Sequence, residues 1–574
     1  MILLVSRVSS QNSSCLLGSC RPEGRIYPSV LDYQDEDLTG NSSIESSSKN
    51  YRNLNIIYDF SLSAQLTNNL KVFLMTFLLD PIASKLEKMI KVSGPNKIPK
   101  ITENGCIEQS KVPAKFKNSS THGDLIIFIA AQEYQADFVA YAAACALSKT
   151  DYRPIVGLVT INTKFLKMQY SQIEPLKSVI LHEILHILAF DVALYDKFPI
   201  GASRTYVKEP VTTSSGTFDS VYLITLPGLL EYARKQFNCP TLRGVYMENE
   251  GGQGSAGSHF ERRWVGNEIM TSESTGKMIM SKFTLHFLND IGWYKINFAF
   301  AEENSWGKNA GCEFFLTSCN AKQFPYFCTS PSRTGCSVDR LSKAQCVKSR
   351  FTDNCFLSLP LDTYECTNNY FFVKTAAFEQ PAVNSRCLNI TEDAVASTGC
   401  YPIACETQNK LRITIDGQNF YCTTQGQKIT YKQLVIECPA YSDICVKPRC
   451  NNNCYGNGIC LANSDCVCNS FFRGKFCRLS KRCICNASLC SLIQPVLQNF
   501  DEEEDIGNFI TASGGDEGNQ AISNTEIINS NIFNQTEFDV FDRNDKDYDS
   551  LKDVLKTAIR LAAMAVVSFL LTLK

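Results

Sequence analysis

The chain has 574 residues, with 56 Lys and Arg against 58 Asp and Glu for a formal net charge of −2, so nothing in its charge favours a nucleic-acid partner. At 44% hydrophobic and 20% charged residues it is composed like an ordinary globular protein, and its length excludes a single domain in favour of roughly two to four. The 27 cysteines would be a hazard in a reducing cytosol, which points to an extracellular, disulfide-bonded chain.

N-x-[ST] sequons starting at Asn12, Asn41, Asn118, Asn389, Asn486 and Asn534 agree with that setting. The odd cysteine count leaves at least one thiol free, on a metal, or paired with another chain. The opening run MILLV is shorter than the core of a signal peptide, so the expectation is a start downstream of the true one, or else export by some other route. Residues 1–50 are polar and rich in Ser and Asn, and read as poorly ordered or as a prosegment. Cys15 and Cys20 lie close together there. Either one could occupy an open metal position as a prosegment thiolate, or the two could form a local disulfide.

From Tyr51 the pattern becomes α/β-like. LNIIYDFSL reads as a strand. NNLKVFLMTFLLDPIASKLEKMIKV reads as a helix with a kink at Pro81. DLIIFIAAQ (Asp124–Gln132) and PIVGLVTIN (Pro154–Asn162) are short runs rich in Ile and Val, hence buried strands. Cys106 and Cys145 are placed to bridge within this unit.

Next comes LHEILHILAF (Leu181–Phe190), with the pattern H-E-x-x-H at His182, Glu183 and His186. On a helix, positions i and i+4 share a face. Two imidazoles can then reach one zinc ion, with the glutamate beside the water. SQIEPLKSVILHEILHILAF supports a helix, with Ser171 as N-cap and Pro175 near the start. Its apolar residues fall on nearly all sides, which predicts a buried helix. The alternative is a pair of core histidines satisfied by hydrogen bonds, though two buried imidazoles and a carboxylate would still need partners.

Residues 192–258 hold the turn TTSSGTF, the helix-like LPGLLEYARKQF, Cys239, and the glycine-rich ENEGGQGSAGSHF. Those glycines free the backbone to bring a side chain in from outside the helix. His259 ends the run. Catalytic zinc normally takes three protein ligands, leaving the fourth position for water. His122, in the polar NSSTHGD, reads as solvated, and His286, in the helix-like FTLHFLNDIGW, reads as packed. Met270 follows in NEIMTSEST.

These runs resemble leishmanolysin, the zinc surface protease family of trypanosomatids with relatives in ciliates and animals. The matching segments are HEILHILAF, EGGQGSAGSH with His259, NEIM with Met270, FLNDIGWY, and WGKNAGCEFF. They cover roughly Tyr51 to Cys366. The resemblance implies a metal-dependent endopeptidase with a three-histidine site, Met270 in a metzincin-type turn under the metal, a latent precursor and a membrane-anchored mature form. One position departs from the pattern. Metzincins usually carry Gly three residues after the second histidine, where this chain has Ala189. Alanine disfavours φ > 0, so the helix should run on slightly or turn differently.

Cys312 to Cys445 has spaced cysteines and little clear periodicity, and its connectivity cannot be deduced. Cys450–Cys477 carries six cysteines in the spacing C-x3-C-x5-C-x5-C-x-C-x8-C and resembles an EGF-like module. So compact a unit must be held by disulfides. The resemblance implies pairs Cys450–Cys460, Cys454–Cys466 and Cys468–Cys477. Its role is a rigid spacer or a ligand-binding module. Residues 491–550 become acidic, as a solvated stalk does. The final LKTAIRLAAMAVVSFLLTLK has only 13 uncharged, mostly apolar residues, Leu561 to Leu573, short for a membrane span, and suits a GPI-attachment signal, or else a helix on the membrane surface.

The expected architecture is α+β. A prosegment or disordered stretch (1–50) precedes a metzincin-type zincin domain of sheet plus active-site helix (51–191). An insert with third ligand and Met-turn (192–300) and a Cys-rich domain (301–449) follow. The EGF-like module (450–477), the stalk (478–550) and a hydrophobic anchor signal (551–574) complete the chain. The expected function is a cell-surface or secreted endopeptidase acting on polypeptides with one zinc ion. His182, His186 and His259 are the ligands and Glu183 the general base. The competing class is an adhesion protein working through its Cys-rich and EGF-like parts.

Overall fold

The computed structural model describes residues 27–32 and most of 50–480. Cys15, Cys20, the stalk and the anchor signal lie outside the described residues, as do shorter stretches within 50–480, among them 137, 169, 214–215, 274–277, 317–318, 320–323, 331–333, 368–371, 407–408, 446–449 and parts of 451–478.

Five strands form the first sheet: β1 (Ser29–Leu31), β2 (Ile56–Asp59), β3 (Leu125–Gln132), β4 (Ala140–Ser148) and β5 (Pro154–Asn162), in the order β1-β4-β5-β3-β2. All neighbours are parallel except β4 and β5. Every residue of the central β5 is buried, which is why its sequence is apolar nearly throughout, Thr160 and Asn162 excepted, rather than alternating. The Cys106–Cys145 disulfide forms and ties a loop to β4.

β1 belongs to the stretch expected to be poorly ordered or a prosegment. Leu31 is buried in the core with Ile98, Phe116, Ile126 and Ala146, and Lys149 pairs with Asp32 at 2.6 Å. Three residues are too few to show a strand pattern, and the neighbouring polarity hides them.

The helical run 68–89 breaks into Asn68–Phe73, a π-type turn at Leu74–Leu79, and Asp80–Met89. The Asp80 N–H reaches back to the Met75 carbonyl. The widened turn lies just ahead of Pro81, the position of the expected kink.

The helix carrying H-E-x-x-H spans Tyr170–Leu188, one residue ahead of the expected N-cap Ser171. Residues 179–190 are buried without exception. The stretch Gln172–Tyr195 is long and apolar enough to cross a membrane, but most of it is buried inside the fold, so this is a core helix. It lies on the sheet at Gly157, where an added Cβ would come within 2.7 Å of the Ile187 side chain.

The insert holds a hairpin (Tyr206–Thr213 with Gly216–Ile224) and the expected helix, at Pro227–Phe237. The helix Lys282–Asp290 then packs behind the site. The boundary drawn at residue 300 is bridged in the structure. Cys239 pairs with Cys312, and Trp264 stacks on Phe315 at 4.1 Å.

The Cys-rich part is mostly β. An antiparallel trio (Thr334–Cys336, Ser342–Lys348, Phe356–Glu365) adjoins a six-stranded antiparallel sheet built around Ser385–Glu392 and Val395–Cys405. Cys336–Cys387 and Cys366–Cys400 join the two sheets. In the last unit Cys454–Cys466 and Cys468–Cys477 form as expected. Cys450 is disulfide-bonded too, while the Cys460 side chain lies outside the described residues.

Candidate metal centre

The helix puts His182 and His186 on one face and Glu183 beside them, all three fully buried. His259 arrives on the glycine-rich loop, also fully buried. The loop is closed at its base by an N–H bond from Glu248 to the His259 carbonyl at 2.8 Å and one from Gly257 to the Glu248 carbonyl at 2.8 Å. Glycine is required at 257. Its φ is +82°, and a Cβ there would lie 2.7 Å from Val192 and 2.8 Å from the Tyr222 ring. The Tyr195 hydroxyl donates to the Gly257 carbonyl at 2.6 Å and completes the clamp.

The three Nε2 atoms converge, at separations of 2.9, 3.1 and 3.3 Å. Each Nδ1 faces a backbone carbonyl: Ile269 for His182 at 2.5 Å, Phe190 for His186 at 2.6 Å, and Ser255 for His259 at 3.1 Å. A carbonyl only accepts, so each ring carries its proton on Nδ1 and aims a bare lone pair from Nε2. Three lone pairs at such distances are not hydrogen-bonded to one another, since no proton lies between them. The group could hold a metal ion. Zinc–nitrogen bonds of about 2.0–2.1 Å at tetrahedral angles would hold the nitrogens roughly 3.3 Å apart, so the residues fit zinc.

Electrostatics agree. Burial lowers the His182 imidazole to about 4 and, together with nearby His182, lowers His259 to about 3. Burial and the other two rings hold His186 well below the usual range. The rings are neutral at physiological pH, the form that binds metal.

The turn Glu268–Thr271 sits against this cluster. Ile269 supplies the His182 acceptor, and the Met270 carbonyl accepts from the N–H of Phe260, next to His259, at 2.7 Å. Met270 is fully buried. Aromatic packing fixes the backbone from below: Phe190 stacks on Phe287 at 4.1 Å and meets Phe260 edge-on at 5.4 Å.

The helix ends at Leu188, and Ala189 keeps negative φ. The Ala189 and Phe190 N–H groups both donate to the Leu185 carbonyl, at 3.0 and 3.1 Å. The chain therefore turns without the left-handed residue that glycine would have supplied, as the alanine led one to expect.

His122 is exposed on a two-residue strand. His286 is packed between Tyr232 and Phe298, with ring centroids at 5.3 and 4.5 Å. Neither joins the cluster. Cys450, Cys454 and Cys466 also gather within 4.8 Å of one another, but their sulfurs are in disulfides, which do not ligate as thiolates do. Two partners escaped the sequence reading. Glu273 accepts from Ser349 at 2.7 Å, and Arg263 pairs with buried Asp353 at 3.6 Å. Through them the Cys-rich part braces the segment that follows His259.

The leishmanolysin family model matches residues 62–360, more than half of the chain. A leishmanolysin-like peptidase of Drosophila melanogaster is 30% identical over 272 residues, 39% of this chain and 40% of that protein. One from Caenorhabditis elegans is 32% identical over 230 residues, 34% and 35%. Leishmanolysin of Leishmania major is 25% identical over 430 residues, 66% and 69%. The chain thus spans about two fifths of the length of the fly relative, 40%. The match across 62–360 makes this chain a member of the leishmanolysin family of zinc metalloproteases.

Proposed function

We propose that the chain is a zinc-dependent endopeptidase of the cell surface. His182, His186 and His259 hold one zinc ion, and Glu183 is the general base. The observation that carries this reading is the convergence of three Nε2 lone pairs with every Nδ1 committed to a carbonyl. Zinc, when held there, supplies a Lewis acid that polarises a peptide carbonyl and makes water acidic near neutral pH.

The chain's own residues do the rest. The Nδ1 bonds fix each ring plane and raise the basicity of Nε2. Glu183 follows His182 on a rigid, buried helix. Its carboxylate accepts a proton from the attacking water and passes it to the leaving amine. Met270 forms the floor of the site without touching substrate.

The remaining organisation follows the same reading. Residues 51–191 and 192–300 form the catalytic part, 301–449 a Cys-rich domain, 450–477 an EGF-like module, and 478–574 a stalk and membrane anchor signal, with 1–50 maintaining latency, through Cys15 or Cys20 if a thiolate does so. Two of the three disulfides expected of an EGF-like module support its assignment. The sequon residues Asn118 and Asn389 are exposed, which suits glycosylation and an extracellular location.

The test compares purified wild type with Glu183→Ala for zinc content and for cleavage of casein or gelatin. Zinc in both and cleavage in wild type alone is expected. Full zinc with equal cleavage in both rejects Glu183 as base. Absence of zinc from both favours the adhesion class instead.

A further inference from the structure

Glu268 is fully buried and has no part in the proposed chemistry. Its carboxylate takes donors only. The Ser281 N–H points at both oxygens, at 3.2 and 3.3 Å, and the Thr284 hydroxyl donates at 2.5 Å. Ser281 is the N-cap of the helix Lys282–Asp290, so the carboxylate also sits at the positive end of that helix. The backbone of the same residue builds the turn. Its carbonyl accepts from both the N–H and the hydroxyl of Thr271, at 3.2 and 2.9 Å. The next residue, Ile269, donates its N–H to Ile279 at 2.7 Å and offers its carbonyl to His182 at 2.5 Å.

We propose that Glu268 is a positioning residue of the zinc site: its carboxylate anchors the turn that presents the Ile269 carbonyl to His182, and so sets that ligand's orientation and zinc affinity. This rests on the zinc reading above. The helix Lys282–Asp290 is thereby part of the metal site, although it contributes no ligand. A carboxylate suits this place better than an amide, because the amide's NH2 would face donors. Burial raises the carboxyl to about 7, with the donors from Ser281 and Thr284 opposing the rise. Partners one shell out from a metal typically change its affinity 10–100-fold.

The experiment measures the zinc dissociation constant of the full-length chain by competition with a chromophoric chelator. Wild type is compared with Glu268→Gln, Thr284→Val and Glu379→Gln. Glu379 is an equally buried carboxylate in the Cys-rich part, paired with Lys343. It controls for general loss of stability. We expect zinc affinity to fall about tenfold in Glu268→Gln and severalfold in Thr284→Val, and to stay unchanged in Glu379→Gln. Unchanged affinity in Glu268→Gln, or an equal fall in Glu379→Gln, overturns the inference and leaves the zinc reading intact. Should Glu268→Gln not fold, Thr284→Val decides by the same criterion. A wild type that binds no zinc overturns both.

Discussion

His182 donates its Nδ1 proton to the carbonyl of Ile269, 87 positions further along the chain and 2.5 Å away. Together with the bonds from His186 to Phe190 and from His259 to Ser255, it forces one tautomer on all three rings. Without a cation their Nε2 lone pairs repel across about 3 Å. Chelation should therefore lower the thermal midpoint, and added zinc should restore it in a concentration-dependent way. Binding to the folded state alone gives about 2.7 kcal/mol at a hundredfold excess over the dissociation constant. Calorimetry with and without chelator checks this, and a midpoint indifferent to zinc would contradict it.

Gly257 holds the third histidine's loop in a conformation that side chains avoid, with Val192 and the Tyr222 ring filling the space of a Cβ. Gly257→Ala should cost at least about 1 kcal/mol in backbone strain, before the steric clash is added. It should also weaken zinc binding, because a backbone shifted away from Val192 and Tyr222 would misalign the residue 257 N–H that closes the loop on Glu248. Denaturant unfolding and zinc titration measure the two effects. A stable variant with undiminished zinc affinity would show that the loop tolerates another path.

Leu31 reaches into the core of the first sheet from a strand of three residues. Leu31→Ala should cost about 2 kcal/mol, the low end for a buried leucine, because so short a strand can detach instead of leaving a cavity. Removing residues 1–50 should then expose the β4 edge as well as any latency element. Trimmed protein should be less stable in urea even if it is more active. Equal stability would mean that β1 adds nothing to the fold.

Glu268 makes metal-free stability depend on pH. Burial holds its carboxyl at about 7 against an ordinary 4.5, with Glu302 pushing the same way and donors from Ser281 and Thr284 opposing. Glu302 is itself paired with Lys85 at 3.6 Å. Because the folded state binds this proton more tightly, the associated stability is complete below about 4.5 and is lost as pH rises through about 7. Over that interval the loss is on the order of 3 kcal/mol. Urea midpoints of the chelated protein from pH 5 to 8 should fall more steeply for wild type than for Glu268→Gln. Parallel curves would contradict the assignment.

What the sequence disclosed follows from which groups carry chemistry. The candidate cluster of His182, His186 and His259 was legible because metal ligation would need particular side chains at particular spacings. Their acceptors at Ile269, Phe190 and Ser255 were not, because every residue has a carbonyl and only the fold aims it. The buried strand Pro154–Asn162 was visible as a run rich in Ile and Val. The Cys-rich sheets were missed although Leu411, Ile413 and Ile415 alternate inward along one strand. Elsewhere in that region disulfides such as Cys366–Cys400 substitute for apolar contacts, which dilutes the period-two signal. The Glu273–Ser349 and Arg263–Asp353 contacts join segments too far apart in sequence for any local pattern to reveal.

The most direct test is the zinc content of the purified chain with and without its third imidazole. We expect one zinc per wild-type chain and essentially none in His259→Ala, with the helix and its two histidines still folded by circular dichroism. Equal zinc in both proteins would mean that the ion, if bound, sits elsewhere, and the three-histidine cage would have to be abandoned.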